Sequence, residues 1–127
     1  MTDRADEIQA LMQKSHQALD DARFLLEHDR VEAAVNRLYY AVFDAARAAL
    51  LTEDEAPSSH SGVKTRFSYN FIRTDLVSRS TGRTLAEAET LRNRADYDAF
   101  ATPDCASIQA LQGDVDRFIE AVESLLR

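Results

Sequence analysis

Cysteine is almost absent: Cys105 is the only one in 127 residues. A lone cysteine excludes an intrachain disulfide and a cysteine-based zinc site. Glycine and proline are scarce too, at three and two residues. That leaves little turn chemistry and excludes a many-stranded all-β fold, which needs frequent punctuation. The histidines, His16, His28 and His60, lack the close spacing of a helix-borne metal site, so no metal is expected. There is no P-loop, no Gly-rich dinucleotide turn and no Ser-His-Asp set. The segment "SHSG" around His60 lacks the strand-turn-helix context of a nucleophile elbow. No cofactor is expected. No apolar run reaches the roughly 18 residues of a membrane span, and the acidic start is no signal peptide. The expectation is a cytoplasmic protein without membrane contact. Positive charge is in deficit: 15 Lys and Arg against 22 Asp and Glu, a formal charge of −7. Such a surface repels phosphate backbones at long range. General coating of nucleic acid is excluded, and a local basic pocket or a groove between two copies is left open.

What is present is helical patterning. Apolar residues make up 45% of the chain. A domain of this length buries roughly two-thirds of its unfolded surface, enough for one core. Between Asp3 and His28, residues Ile8, Leu11, Met12, Ala18, Leu19, Ala22, Leu25 and Leu26 recur mostly at steps of three and four, along one helix face. The segment Val31 to Leu51 is apolar almost all round, which predicts the central, most buried helix. The stretch that follows, with Pro57 and Gly62, reads as a loop. Ser59 or Ser61 then caps a shorter helix from Val63 to Arg73. Ser78 to Gly82 reads as a break, after which Thr84 and Glu87 form a capping box and open a helix through Leu85, Ala88, Leu91 and Ala95. Thr102 as cap, with Pro103 at the first helical position, opens the last helix, which carries Ile108, Leu111, Val115, Phe118, Ile119, Val122, Leu125 and Leu126. Gly113 inside it costs about 1 kcal/mol relative to alanine. The predicted fold class is all-α: an antiparallel up-and-down bundle of about five helices, one domain over residues 1–127.

Two places hold polar groups that a core does not need. On the second predicted helix, Arg37, Tyr40, Asp44 and Arg47 follow at steps of three, four and three and share a stripe, with Asn36 at its edge. One reading is a buried ion-pair network with Asp44 between Arg37 and Arg47, because unpaired charges are too costly to bury. The other is a binding site. The second place, Leu91 to Phe100, concentrates Arg92, Arg94, Asp96, Tyr97 and Asp98. Arg92 with Asp96, and Arg94 with Asp98, read as two surface ion pairs contributing a few tenths of a kcal/mol each. The alternative is an anion pocket, since arginine forks match phosphate oxygens and a tyrosine stacks on a base. His60, in a loop, reads as a structural hydrogen-bonder before a catalyst.

The blocks "NRLYYAVFDAARAALL", "SHSGV" and "LRNRADYD", followed by a terminal amphipathic helix, resemble the small stand-alone prokaryotic HEPN proteins (higher eukaryote and prokaryote nucleotide-binding). The resemblance runs from about Arg23 to Leu126. It implies a helix-bundle homodimer. Many members are metal-independent ribonucleases, often toxins, and a minimal nucleotidyltransferase is a common partner and antitoxin. Active members carry Arg, four to six residues, then His, at a cleft shared by two copies. The implied chemistry is attack of an RNA 2′-hydroxyl on the adjacent phosphate, with His as acid/base and Arg holding the developing charge.

By this resemblance Arg92 matches the family arginine and Tyr97 stands where the His would be. Asp44 occupies a position where relatives often have His, and no histidine follows Arg92. A phenol, with a pKa of about 10, is a poor base at neutral pH. The expectation is therefore a HEPN-type nucleotide- or RNA-binding or regulatory protein, paired with a nucleotidyltransferase in a toxin–antitoxin-like system. Arg92 and Tyr97 hold the catalytic position, and Arg37, Tyr40, Arg47, Arg94 and Asp96 are the binding candidates. The alternatives are a ribonuclease toxin with an altered Arg-x4-Tyr site and a purely structural dimerisation module.

Overall fold

Asp3 starts the first helix. In the computed structural model, which describes residues 3–100 and 103–127, its carboxylate accepts the Asp6 backbone N–H at 2.8 Å. Helix α1 then runs over Arg4–Glu27. Asp6 and Glu7 in its first turn complement the positive end of the helix dipole. The helix ends where Asp29 turns left-handed, at φ 59°. Asp54 and Asp75 take the same conformation in later turns. Aspartate tolerates this region better than most side chains, so a chain poor in glycine closes its turns with aspartate.

Helix α2, Val31–Leu51, has the predicted boundaries. Ala34, Val35, Leu38, Tyr39, Ala41, Val42, Ala45, Ala46, Ala48, Ala49 and Leu50 on it have no exposed surface. Residues apolar on all sides can be hidden only by neighbours on all sides, and α2 packs against each of the other helices. Its alanines let α1 approach closely enough for the buried Ser15 hydroxyl to donate to the Ala41 carbonyl at 2.6 Å.

The loop after α2 is pinned by Glu55, which accepts from the side chains of Arg66 and Asn70. The Arg66 bond chiefly holds the Glu55 carboxyl below the usual carboxylate range. Ser59, not Ser61, caps α3 by accepting the Gly62 N–H at 2.9 Å. Helix α3 spans His60–Phe67, so it starts three residues before the predicted Val63. It does not continue as α-helix to Arg73. It widens into a π-helical turn over Ser68–Ile72, closed by the Arg73 N–H on the Ser68 carbonyl at 2.9 Å. Phe67 and Phe71 are both buried, their rings 5.1 Å apart, with Phe67 also 5.1 Å from Phe118.

The next helix corrects the sequence reading more strongly. Ser78 to Gly82 is no break. Ser78 is the cap, accepting the Thr81 N–H at 3.2 Å, and α4 runs over Arg79–Tyr97. Thr84 is not a cap but an interior residue, 2% exposed. Gly82, which looked like a breaker, lies against the Ile72 side chain and permits that close approach. Helix α5 spans Cys105–Leu126. Its cap is Asp104, which accepts the Ser107 N–H at 3.3 Å and the Ser107 hydroxyl at 2.9 Å. Pro103 therefore precedes the cap rather than opening the helix, and the predicted cap Thr102 lies outside the described residues. A carboxylate accepts two donors here, and those bonds hold Asp104 below the usual range.

The result is the expected antiparallel helix bundle, with no strand among the described residues. Ile108, Leu111, Val115, Phe118, Ile119 and Val122 of α5 complete the core around α2. Among the described residues, no helix is long and apolar enough to cross a membrane.

Candidate functional site

Consecutive tyrosines on α2 point to different surroundings, because adjacent helix residues are about 100° apart around the axis. Tyr39 turns inward and is completely buried apart from what its hydroxyl reaches. Tyr40 is half-buried beside it, with the rings edge-on at 5.2 Å. The Tyr39 hydroxyl lies 2.6 Å from Nδ1 of His60, the first residue of α3. The His60 ring packs on Phe43 at 4.4 Å between centroids and stacks on Tyr39 at 5.6 Å. It is nevertheless exposed to solvent on its outer side. An imidazole clasped at one nitrogen and packed on one face has a fixed orientation.

Helix α4 brings Arg92 to the same tyrosine. Its guanidinium carbon sits 4.4 Å from the Tyr39 ring centroid, and one Nη donates to Asn93 Oδ1 at 3.1 Å. The Arg92 Nε is buried without a hydrogen-bond partner among the described residues. One turn earlier on α4, Glu89 pairs with Lys64 of α3 at 3.0 Å. The Tyr39 phenol is pushed up to about 12, first by burial and then by the Glu89 charge, with Arg92 opposing. At neutral pH it is a neutral hydroxyl that can donate or accept.

Further arginines border the same aromatic group. Arg37 lies over Tyr40 at 5.3 Å and Arg47 over Phe43 at 5.8 Å. The structure thus brings Arg37, Tyr40, Arg47 and Arg92 around one cluster of Tyr39, Tyr40, Phe43 and His60. The expected network with Asp44 between two arginines does not form. Arg47 approaches Asp44 at 3.4 Å, whereas Arg37 donates to Asn36 Oδ1 at 2.9 Å. Burial raises the Asp44 carboxyl above its ordinary range, and Arg47 only partly offsets this.

The rest of the predicted site is dispersed. Neither Arg92–Asp96 nor Arg94–Asp98 forms an ion pair among the described residues, because Arg92 turns inward onto Tyr39. Arg94 is exposed and lines a groove between α4 and the start of α5 with Asp98, Asp104 and Ser107. Asp96 borders a shallow groove shared with Arg37, Asn36 and Glu32. Tyr97 closes α4 and is 81% exposed, beside Phe100 at 95%. Sequence reasoning missed Tyr39 and His60 as partners. The one available signal was their presence in two of the blocks that carried the resemblance. Helical periodicity cannot link residues 21 apart across a loop.

A family model described as "HEPN domain" matches residues 8–127. The chain is a member of the HEPN family. This HEPN protein is 29% identical to a "UPF0332 protein" of Thermotoga maritima, over 99% of the chain and 96% of that relative. It is 30% identical to a Methanocaldococcus jannaschii protein named "Putative toxin", over 98% of the chain and 92% of the relative. It is also 33% identical to a "UPF0332 protein" of Gloeobacter violaceus, over 94% and 96%.

Proposed function

We propose that this HEPN protein binds RNA or a nucleotide through Arg92 and the arginine-bordered aromatic cluster beside it. In this reading it acts as a homodimer within a toxin–antitoxin-like pair, with a minimal nucleotidyltransferase as partner. The observation that carries the proposal is the Arg92 guanidinium, laid on the Tyr39 ring with its Nε unpaired. A buried donor without a partner is rare and calls for a ligand or ordered water. A guanidinium fixed in place presents its fork to phosphate oxygens with little ordering cost. Arg37 and Arg47 lie at the rims, where phosphate contacts add affinity, and Tyr40 is placed for stacking. The toxin naming of one relative supports the pairing.

Titration with a fluorescent single-stranded RNA and with a nucleoside triphosphate tests this. Arg92→Ala should lose about tenfold or more in affinity, since a charge-assisted bidentate contact contributes roughly 1.5–3 kcal/mol. Arg94→Ala, in its separate groove, should lose less. Binding should weaken steadily with salt as counterions are released. No binding by the wild type, or equal loss in both variants, would replace this reading with a structural role for the cluster.

A further inference from the structure

We propose that the groove between α3, the π-helical turn after it and the first turns of α4 docks a short acidic segment of a partner protein, with an apolar side chain seated between flanking carboxylates. No residue of this groove belongs to the aromatic cluster, so docking here is independent of the RNA or nucleotide reading. Charge is spread unevenly along the chain. From residue 56 to residue 86 stand Lys64, Arg66, Arg73, Arg79 and Arg83, with Asp75 as the sole acid. That stretch carries +4, so the rest of a chain of net charge −7 carries −11. The basic stretch is the one that folds into the two walls of the groove.

The groove has a volume of about 520 Å³. Phe67, Ile72 and Leu85 give it an apolar floor, and Lys64, Arg79 and Arg83 stand at its rim. The Ile72 side chain lies against Gly82, which ties the two walls together. Leu76, in the turn that joins them, is 61% exposed. No acidic side chain lines the groove among the described residues. Lys64 is paired with Glu89, but Arg79 and Arg83 have no ion-pair partner among the described residues. Glu87 faces away, into a separate polar groove that it lines with Arg83, Asp114 and Arg117.

These features fit one kind of occupant. Unpaired guanidiniums on a protein that is acidic elsewhere draw carboxylates to this face, while the rest of the surface repels them. The charge pattern therefore selects both the partner and the place. The apolar floor adds a seat for an anchoring side chain, which charge alone does not need. Arginine clusters recognise acidic motifs, and grooves between helices take the apolar face of an amphipathic segment. Nucleic acid fits less well. Its phosphates call for cations but not for an apolar floor. Tyr69, the exposed aromatic of this region, already carries the guanidiniums of Arg66 and Arg73 at 4.5 and 4.2 Å, so its ring is not free to stack on a base. A second copy would have to offer a different face to the groove, a head-to-tail contact that builds rings or open chains.

The test pans a phage-displayed library of random peptides against the full chain and measures the enriched peptides by fluorescence anisotropy. Enriched sequences should set Leu, Ile or Phe among Asp and Glu. Arg79→Glu combined with Arg83→Glu should weaken their binding about tenfold or more. Both side chains are exposed and glutamate suits the start of a helix, so α4 should persist. Ala86→Arg, on the α4 wall, puts a long side chain across the groove while adding positive charge. It should weaken binding severalfold, whereas a contact driven by charge alone would tighten. Lys14→Glu, a reversal at an exposed site on α1, should bind as the wild type does. No enrichment, enrichment without the acidic and apolar pattern, or unchanged binding in the double variant would overturn the proposal. So would tighter binding by Ala86→Arg. A single-stranded RNA that displaces the peptides and itself loses affinity in the double variant would assign the face to RNA instead. Self-association in sedimentation that the double variant abolishes would assign it to a second copy, and either result refutes a partner protein here. If circular dichroism shows the double variant unfolded, Ala86→Arg alone decides.

Discussion

Tyr39→Phe removes one oxygen from the centre of the bundle and asks how the fold and the site share it. The ring stays, so its packing on Phe43 and the Arg92 contact are retained. What is lost is the bond to His60 Nδ1 at 2.6 Å. His60 is exposed, so its freed nitrogen turns to water and no buried polar atom is orphaned. The cost at neutral pH should be that of an ordinary hydrogen bond, about 0.5–1.5 kcal/mol. For a chain of this length that lowers Tm by roughly 3–6 °C per kcal/mol.

At high pH the sign reverses. The phenol ionises near 10 when unfolded but at about 12 in the fold. An acid whose folded value is raised contributes stability fully below its unfolded value and loses it as pH rises through the folded one. Over that window the unfolded chain gains from phenolate formation and the native state does not. The wild type should therefore lose up to about 3 kcal/mol between roughly pH 10 and pH 12 that the phenylalanine variant does not lose. The variant should overtake the wild type. Urea unfolding followed by circular dichroism, on both proteins from about pH 8 to about pH 12, reads the difference, in which all other titrations cancel. Parallel curves would refute the account of Tyr39 as a buried, protonated phenol. A loss well above about 3 kcal/mol at neutral pH would refute the single-bond account.

Packing yields two more tests. Leu38 on α2 has no exposed surface, so Leu38→Ala should cost about 2–5 kcal/mol in urea unfolding, and a loss within error would mean that the core is elsewhere. Gly82→Ala should gain about 1 kcal/mol from helix propensity alone. Its new Cβ would instead overlap Ile72 Cδ1 and lie 2.8 Å from Cγ1, so a net loss is expected, as overpacking costs about 1–3 kcal/mol. Adding Ile72→Val removes Cδ1 and should recover much of that loss. A Gly82→Ala protein more stable than wild type would disprove the close approach.

Much of this protein was legible from residue order because helices are local. The boundaries of α2 follow from a segment apolar on every side between polar breaks, and Asp3 and Ser59 cap because their oxygens lie within reach of N–H groups three residues on. The same local logic failed where tertiary contacts competed with it. Thr84 and Glu87 make a plausible capping box, but Ser78 also fits a cap. The contact of Gly82 with Ile72 accompanies the earlier start of α4. The π-helical turn left no sequence signal.

The candidate site divides along the same line. Arg92, Arg37, Tyr40 and Arg47 could be singled out from sequence, since clustered arginines and a phenol stand out within helical patterning. Their partners could not. Whether Arg92 pairs with Asp96 one turn away or lies on Tyr39 of another helix is decided by which way α4 faces α2, and both arrangements fit the same letters. Which of two adjacent tyrosines is buried is set by the rotation of α2 about its axis. That Tyr39 meets His60 across 21 residues depends on where the loop delivers the start of α3. Residue identity determined the helical fold class, the boundaries of α2 and the Asp3 and Ser59 caps, and it made Arg92 a candidate. Only the packing of α2, α3 and α4 against one another decided which side chains that arginine and His60 meet.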